Sequence, residues 1–264
     1  TNRASSQTDL DRLPLHETIK GLHYRFSMTK NFDQTSNCEL ILALDIDDRS
    51  KAIELVKQSG ESLNWVKIGL QMFTKYGPEY VREISDLGKK VFLDLKLHDI
   101  PNTVAKAIAS VSELPIDMLT IHTCGGREMM EWAVRSQQDH KPDLQLLGVT
   151  VLTSMDDEAL AGIGVNRSAA EQVFALTALA SDAGLSGLVC SPHEAAKVKS
   201  IHGNQFKLVT PGIRPVGADA GDQKRIMTPR LAAEQGADFI VVGRPVYQAE
   251  DPESVVKSVL EDLR

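Results

Sequence analysis

A chain of 264 residues, 42% of them hydrophobic, is long enough for one large α/β domain or two small ones. A formal net charge of −7 argues against a nucleic-acid binder whose affinity comes from phosphate neutralisation, and no apolar run approaches the ~20 residues of a membrane span. The three cysteines, Cys38, Cys124 and Cys190, are far apart and in no metal-ligand spacing, which reads as reduced core thiols of a cytoplasmic protein.

Residues 1–37 are polar, with one weakly amphipathic piece at 10–26, and are expected to form an N-terminal extension outside the core fold. From residue 38 to 264 the pattern becomes regular. The run E-L-I-L-A-L-D at 39–45 predicts a first buried strand ending in a carboxylate, and a helix follows at 49–59. A second strand at 64–69 ends in Lys67 and Gly69, and a helix is predicted over 80–87. The third strand, 91–97, alternates Phe92, Asp94 and Lys96 on one face with Val91, Leu93, Leu95 and Leu97 on the other. Pro101 opens the next helix. Further strands are predicted at 116–122, 144–153, 187–191, 206–211 and 239–244, with helices at 127–138, 169–183, from Pro192, at 229–235 and at the end of the chain. Only residues 212–227 are long, Gly-rich and without periodicity.

Eight strands alternating with helices over short connections imply a parallel sheet with right-handed crossovers, and at this length a closed single-domain α/β (β/α)8 TIM barrel. An open doubly wound sheet is the alternative, but no G-x-G-x-x-G follows the first strand. In a barrel the polar residues that end separate strands, Asp45, Lys67, Lys96, Ser154, Arg214 and Arg244, converge on one mouth.

The third strand carries the chemistry. A fully buried parallel strand reads apolar throughout, so a face bearing both Asp94 and Lys96 must meet something polar. A solvated pair on a surface strand would alternate in the same way, yet a strand inside repeating strand–helix units has both faces covered. Lys67, Asp94, Lys96 and Asp99 can alternate in sign, which keeps Lys96 protonated and positioned as a general acid. Two lysines among the carboxylates disfavour a metal. Gly243 and Arg244 at the last strand suit a phosphate site at a helix start, though a turn glycine and a surface arginine fit equally well. The long loop, with Arg214 and Gln223 as donors to an anion, suits a lid closing over phosphate. Ser154 is not in a G-x-S-x-G elbow, His98 and His122 read as structural, and Trp65 and Trp132 read as packing.

Taken together, D-L-K-L-H-D-I-P-N-T (94–103), V-T-V-L-T-S-M (149–155), L-V-T-P-G-I-R-P (208–215), G-D-Q-K-R-I-M-T-P (221–229) and V-G-R-P (242–245) resemble the orotidine 5′-phosphate decarboxylases of the bacterial type, over roughly residues 39–262. That resemblance implies a cofactor-free conversion of orotidine 5′-monophosphate to uridine 5′-monophosphate and CO2. It implies Lys96 as proton donor and Asp94 beside the departing carboxylate, with Asp99 and Lys67 completing the charged set. Asp45, Lys67 and Thr103 would hold the ribose hydroxyls, Thr153 and Ser154 would meet the pyrimidine edge, and Asn102 would join the substrate-binding set. Arg214, Gln223, Gly243 and Arg244 would hold the phosphate. A homodimer with shared sites is implied, with Asp99 and Thr103 reaching the neighbouring subunit. No nucleic-acid or membrane partner is expected. A Mg2+-dependent sugar-phosphate decarboxylase of the same barrel type is the alternative.

Overall fold

The computed structural model describes residues 38–215 and 227–264. The expectations for the N-terminal extension, for Gln223 and for most of the Gly-rich loop lie outside the described residues. The elements in order are β1 (Glu39–Ala43), α1 (Arg49–Gln58), β2 (Trp65–Gly69), α2 (Leu70–Asp86), β3 (Lys90–Leu97), α3 (Pro101–Val111), β4 (Met118–His122), α4 (Gly126–His140) and β5 (Gln145–Val149). They continue with α5 (Asp157–Gly162), α6 (Ala169–Asp182), β6 (Gly187–Val189), α7 (Pro192–His202), β7 (Lys207–Thr210), α8 (Pro229–Glu234), β8 (Phe239–Val242), α9 (Arg244–Tyr247) and α10 (Pro252–Asp262). Each strand pairs in parallel with the next and β8 pairs with β1, closing the (β/α)8 barrel.

Alternation along the strands divides the apolar residues into two cores. Ile41, Ala43, Trp65, Phe92, Met118, Leu147, Val209, Phe239 and Val241 fill the barrel interior. Their sequence neighbours, among them Leu40, Leu42, Val66, Ile68, Leu93, Leu119 and Val242, face the surrounding helices. A parallel strand covered on both faces must be apolar on both, and β8 is, as is β1 after Glu39, whereas β2 carries Lys67 on its inward face. The rim at the N-terminal ends of the strands is pinned by Asp238, which accepts from Lys199 Nζ at 2.7 Å and from the Leu208 N–H at 2.9 Å.

Several boundaries differ from the sequence reading. An additional helical stretch starts at Leu70, directly after β2; Gly77 (φ 65°, ψ −159°) is not helical, and the stretch that follows it from Pro78 is the helix the sequence predicts. Strand β5 stops at Val149, so Thr153 and Ser154 stand in the following loop. The short α5 was not anticipated; its signal was Asp156, whose side chain accepts from the Ala159 N–H at 3.0 Å, ahead of two acidic residues in the first turn. Strand β8 ends at Val242, and Arg244 already belongs to the short helix α9. Cys124 is exposed rather than a core thiol, since it sits in a 3-10 turn at the end of β4 instead of on a packed face.

Candidate active site

The C-terminal ends of β1, β2 and β3 bring four charges together. Lys67 Nζ lies 3.1 Å from Asp45 Oδ1 and 3.6 Å from Asp94 Oδ2, and Lys96 Nζ lies 2.8 Å from each oxygen of Asp94. The signs alternate along Asp45, Lys67, Asp94 and Lys96, and the formal charges cancel. The side chains of Lys67 and Asp94 are each only 11% exposed, whereas that of Asp45 is 47% exposed. Gly69 makes room for the pair: a Cβ there would lie 3.0 Å from both Asp45 Oδ1 and Lys67 Nζ.

Burial alone would push the Lys67 ammonium down, but Asp94 and Asp45 outweigh it and hold the group above its ordinary value. Burial would likewise raise the Asp94 carboxyl. The charges of Lys67 and Lys96, with hydrogen bonds from Lys96 and Thr120, hold it below the usual carboxylate range instead. Both groups are therefore ionised at neutral pH.

The backbone of β3 departs from regular alternation where the charges lie. Between Leu93 and Leu97 β3 advances four residues while β4 advances only two, from Leu119 to Ile121. Lys96 takes the surplus in a left-handed conformation (φ 50°), the one positive φ outside glycine among the described residues. Such a conformation costs about 1–3 kcal/mol and persists only when its surroundings enforce it. Thr120, a fully buried hydroxyl on β4, stands opposite: its Oγ1 accepts from the Lys96 N–H at 2.9 Å and donates to Asp94 Oδ1 at 2.9 Å.

A cavity of about 190 Å³ opens beside these charges, lined by Lys67, Asp94, Lys96, Phe92, Val149, Val189, Val209 and Val241, with Thr153, Cys190 and Pro211 completing the lining. A wider, open groove of about 640 Å³ adjoins Asp45 and runs past Lys51, Gln71 and Tyr247. The small cavity is the one with fixed ammonium groups and apolar walls, and it is where chemistry is best supported.

Of the anticipated site residues, Lys67, Asp94, Lys96 and Thr153 line the small cavity and Asp45 lines the groove, with Asp45 and Lys67 joined by their ion pair. Arg214 is buried just past β7, its Nη1 donating to the Ile213 carbonyl at 2.9 Å, and Gly243 and Arg244 follow β8 on the neighbouring strand. The two flanks of the long loop meet in a bridge of Ile213 with Met227. Ser154 is exposed and does not line the cavity. Asp99, Asn102 and Thr103 are also exposed; the Asp99 carboxylate accepts from the Ile100 N–H at 2.7 Å and stands outside the ion-pair chain of its own subunit. His98 and His122 pack ring against ring at 5.6 Å, and burial, with His98 and Lys96, pushes the His122 imidazole below its ordinary value.

Thr120 and Gly69 were not anticipated from the sequence. Thr120 had a signal, a lone hydroxyl on the inward register of an otherwise apolar strand. Gly69 had none beyond its place two residues after Lys67. Among the described residues no group of three or more His, Cys, Asp or Glu side chains is arranged to hold a metal ion, and no helix is long and apolar enough to cross a membrane.

A closed barrel with a sign-alternating side-chain array at the C-terminal mouth, and arginines at β7 and β8, defines a (β/α)8-barrel enzyme site built for an anionic small molecule. The chain belongs to the orotidine 5′-phosphate decarboxylase / HUMPS family, whose model matches residues 39–259. It is 54% identical over 227 residues to an orotidine 5′-phosphate decarboxylase of Opitutus terrae, covering 86% of this chain and 99% of that one. A second relative of the same name, from Pseudoalteromonas translucida, is 50% identical over 85% of this chain and 97% of its own length. The crystal structure of orotidine 5′-phosphate decarboxylase from Lactobacillus acidophilus superposes with a TM-score of 0.76 at 34% identity, covering 86% of this chain and 99% of that one. These relatives give no support to the sugar-phosphate alternative.

Proposed function

We propose that this protein decarboxylates orotidine 5′-monophosphate to uridine 5′-monophosphate, the last step of de novo pyrimidine synthesis, with no cofactor or metal. The observation that carries the reading is the Asp45–Lys67–Asp94–Lys96 array beside the cavity, in a chain of this family. Cleavage of the bond from C6 to the carboxylate releases CO2 and leaves the electron pair in the ring plane, where the π system cannot delocalise it. Catalysis must then be electrostatic, with fixed positive charge placed where negative charge develops. Lys96 supplies that charge, gives a proton to C6, and recovers one from solvent.

Asp94 stands beside the substrate carboxylate, Asp45 and Lys67 hold the ribose hydroxyls with Thr103, and Asn102 belongs to the substrate-binding set. Thr153 and Ser154 meet the pyrimidine, and Arg214, Gln223, Gly243 and Arg244 hold the phosphate. Binding energy from the phosphate, remote from C6, organises the site for the transition state. The exposed position of Asp99, outside its own subunit's charge array, supports a homodimer in which Asp99 and Thr103 complete the partner's site. The absence of a membrane-length apolar helix among the described residues fits a cytoplasmic enzyme.

The test is loss of orotidine monophosphate absorbance with EDTA present. The wild-type protein should turn over. Lys96→Ala should lose several orders of magnitude in kcat, of the ~8–23 kcal/mol enzymes typically remove from a barrier, while still binding uridine monophosphate. Near-normal turnover by Lys96→Ala would remove the mechanism.

A further inference from the structure

We propose that Thr120 is a positioning residue for the Asp94–Lys96 pair, its hydroxyl holding both the kinked backbone of β3 and the carboxylate in the geometry decarboxylation needs. The inference rests on the decarboxylase reading above and adds to it a residue that never touches the substrate.

The argument begins with what the irregularity in β3 removes. Between Leu93 and Leu97 the regular pairing of β3 with β4 is interrupted. The backbone N–H of Lys96 therefore has no carbonyl of a regular ladder opposite it, and an unpaired N–H in a barrel wall is costly. Thr120 fills that role from the inward side of β4, accepting from the Lys96 N–H at 2.9 Å. A hydroxyl has one proton to donate. With its acceptor side taken up by Lys96, the proton points to Asp94 Oδ1, also at 2.9 Å. One buried oxygen thus connects the main chain of Lys96 to the side chain of Asp94.

That link runs in parallel with the salt bridge between the same two residues, where Lys96 Nζ lies 2.8 Å from both Asp94 oxygens. The ammonium loses its charge when it gives its proton to C6, so the salt bridge weakens at that step and cannot by itself keep Asp94 in place through the reaction. The hydroxyl is not consumed in the step and can. It also restrains the left-handed backbone of Lys96, from which the Nζ is aimed (φ 50°). No exposed surface intervenes, since Thr120 is 0% exposed and Asp94 is 8% exposed. Water cannot readily replace the hydroxyl there.

The test compares Thr120→Val, which keeps the shape and deletes the hydroxyl, with Thr120→Ser, which keeps the hydroxyl, each beside wild-type protein. Loss of positioning of this size costs on the order of 10–100-fold. Thr120→Val should therefore lose about that much in kcat, with KM and uridine monophosphate affinity within about threefold of wild type, because binding groups are untouched. Thr120→Ser should recover most of the loss. If Thr120→Val does not fold, Thr120→Ala against Thr120→Ser gives the same comparison in kcat. Wild-type kcat in the variants lacking the hydroxyl overturns the proposal. So does a loss shared equally by kcat and nucleotide binding, or equal loss in Thr120→Ser, either of which marks a packing role. Inactive wild-type protein sinks the decarboxylase reading and this inference with it, whereas active wild type beside fully active Thr120→Val sinks the inference alone.

Discussion

Replacing Lys67 by Met removes the cation between two carboxylates while keeping most of the side-chain volume. Its ammonium lies 3.6 Å from Asp94 Oδ2, a separation worth about 4–5 kcal/mol of gross attraction at an effective dielectric of about 20. The contact with Asp45 adds at most about 1 kcal/mol, because that carboxylate is half exposed and rehydrates. Breaking a buried pair from one side costs about 3–5 kcal/mol, and Asp94 keeps Lys96 and Thr120, so the lower end applies. At about 2–4 °C per kcal/mol for a domain of this size, Lys67→Met should melt about 6–12 °C below wild type at neutral pH.

The same variant has a signature in pH. Asp94 is held below the usual carboxylate range, so its contribution is complete above about pH 3.9 and is lost as pH falls through the folded value. Without Lys67 that folded value rises, and the acid limb of unfolding moves to higher pH. Lys67 itself is held above its ordinary value, so its contribution is complete below about pH 10.4 and is lost as pH rises; the variant lacks that alkaline limb. Calorimetry across pH on wild type, Lys67→Met, Asp94→Asn and the double variant closes a cycle whose coupling should be about 1–3 kcal/mol. A melting temperature within about a degree of wild type, or strictly additive losses, would refute the claim that these charges stabilise one another.

Three further outcomes are expected. Mixing Lys96→Ala with Asp99→Ala subunits and allowing exchange should restore at most about a quarter of wild-type activity, one intact site in each mixed dimer; no recovery with mixed dimers present would return Asp99 to its own subunit. Asp238→Asn, at the opposite rim, should weaken the hold of Lys199 and cost about 2 kcal/mol in thermal stability with kcat unchanged; a fall in kcat would contradict the separation of the two barrel faces. A thiol reagent near pH 8 should label only Cys124 in native protein and all three cysteines after denaturation, since Cys190 is buried and burial, with Asp238 and Glu39, pushes the Cys38 thiol up to about 12; a native count other than one would contradict the burial pattern.

The barrel was legible because its strands are short, separate and bounded by clear helices, so counting repeats sufficed. The core of the site was legible for a different reason: Asp94 and Lys96 violate the apolar pattern that a covered strand must have. Two-residue alternation also concealed something. It placed Asp94 and Lys96 on one face, where they are, but it gave no sign that the backbone between Leu93 and Leu97 carries two surplus residues, or that Lys96 has a left-handed φ. Lysine carries no local preference for that conformation, which is enforced from β4 by Thr120, a residue 24 positions on. The helical stretch at 70–76 was hidden because Gly77-Pro78 has the chemistry of a helix beginning, which it also is for the stretch that follows. Asp99 stands outside the charge array of its own subunit among the described residues, so no pattern within one chain marks its role.

The charge array explains why the free site tolerates its own design. Two carboxylates and two ammonium groups cancel, so the barrel buries Lys67 and Asp94 without net charge, and each has an opposite partner within 4 Å. In the proposed reaction, a substrate carboxylate arriving beside Asp94 would unbalance that arrangement. Asp94 cannot escape by taking a proton at neutral pH, because Lys67, Lys96 and the Thr120 hydroxyl hold it ionised. Nor can it readily swing away, since Lys96 and Thr120 bind its oxygens. On that proposal, loss of CO2 would remove the offending charge and leave in its place a carbanion facing the Lys96 ammonium. The same fixed geometry would then be unfavourable to the substrate carboxylate and favourable to the anion that replaces it, and a difference of that kind between ground state and transition state raises kcat.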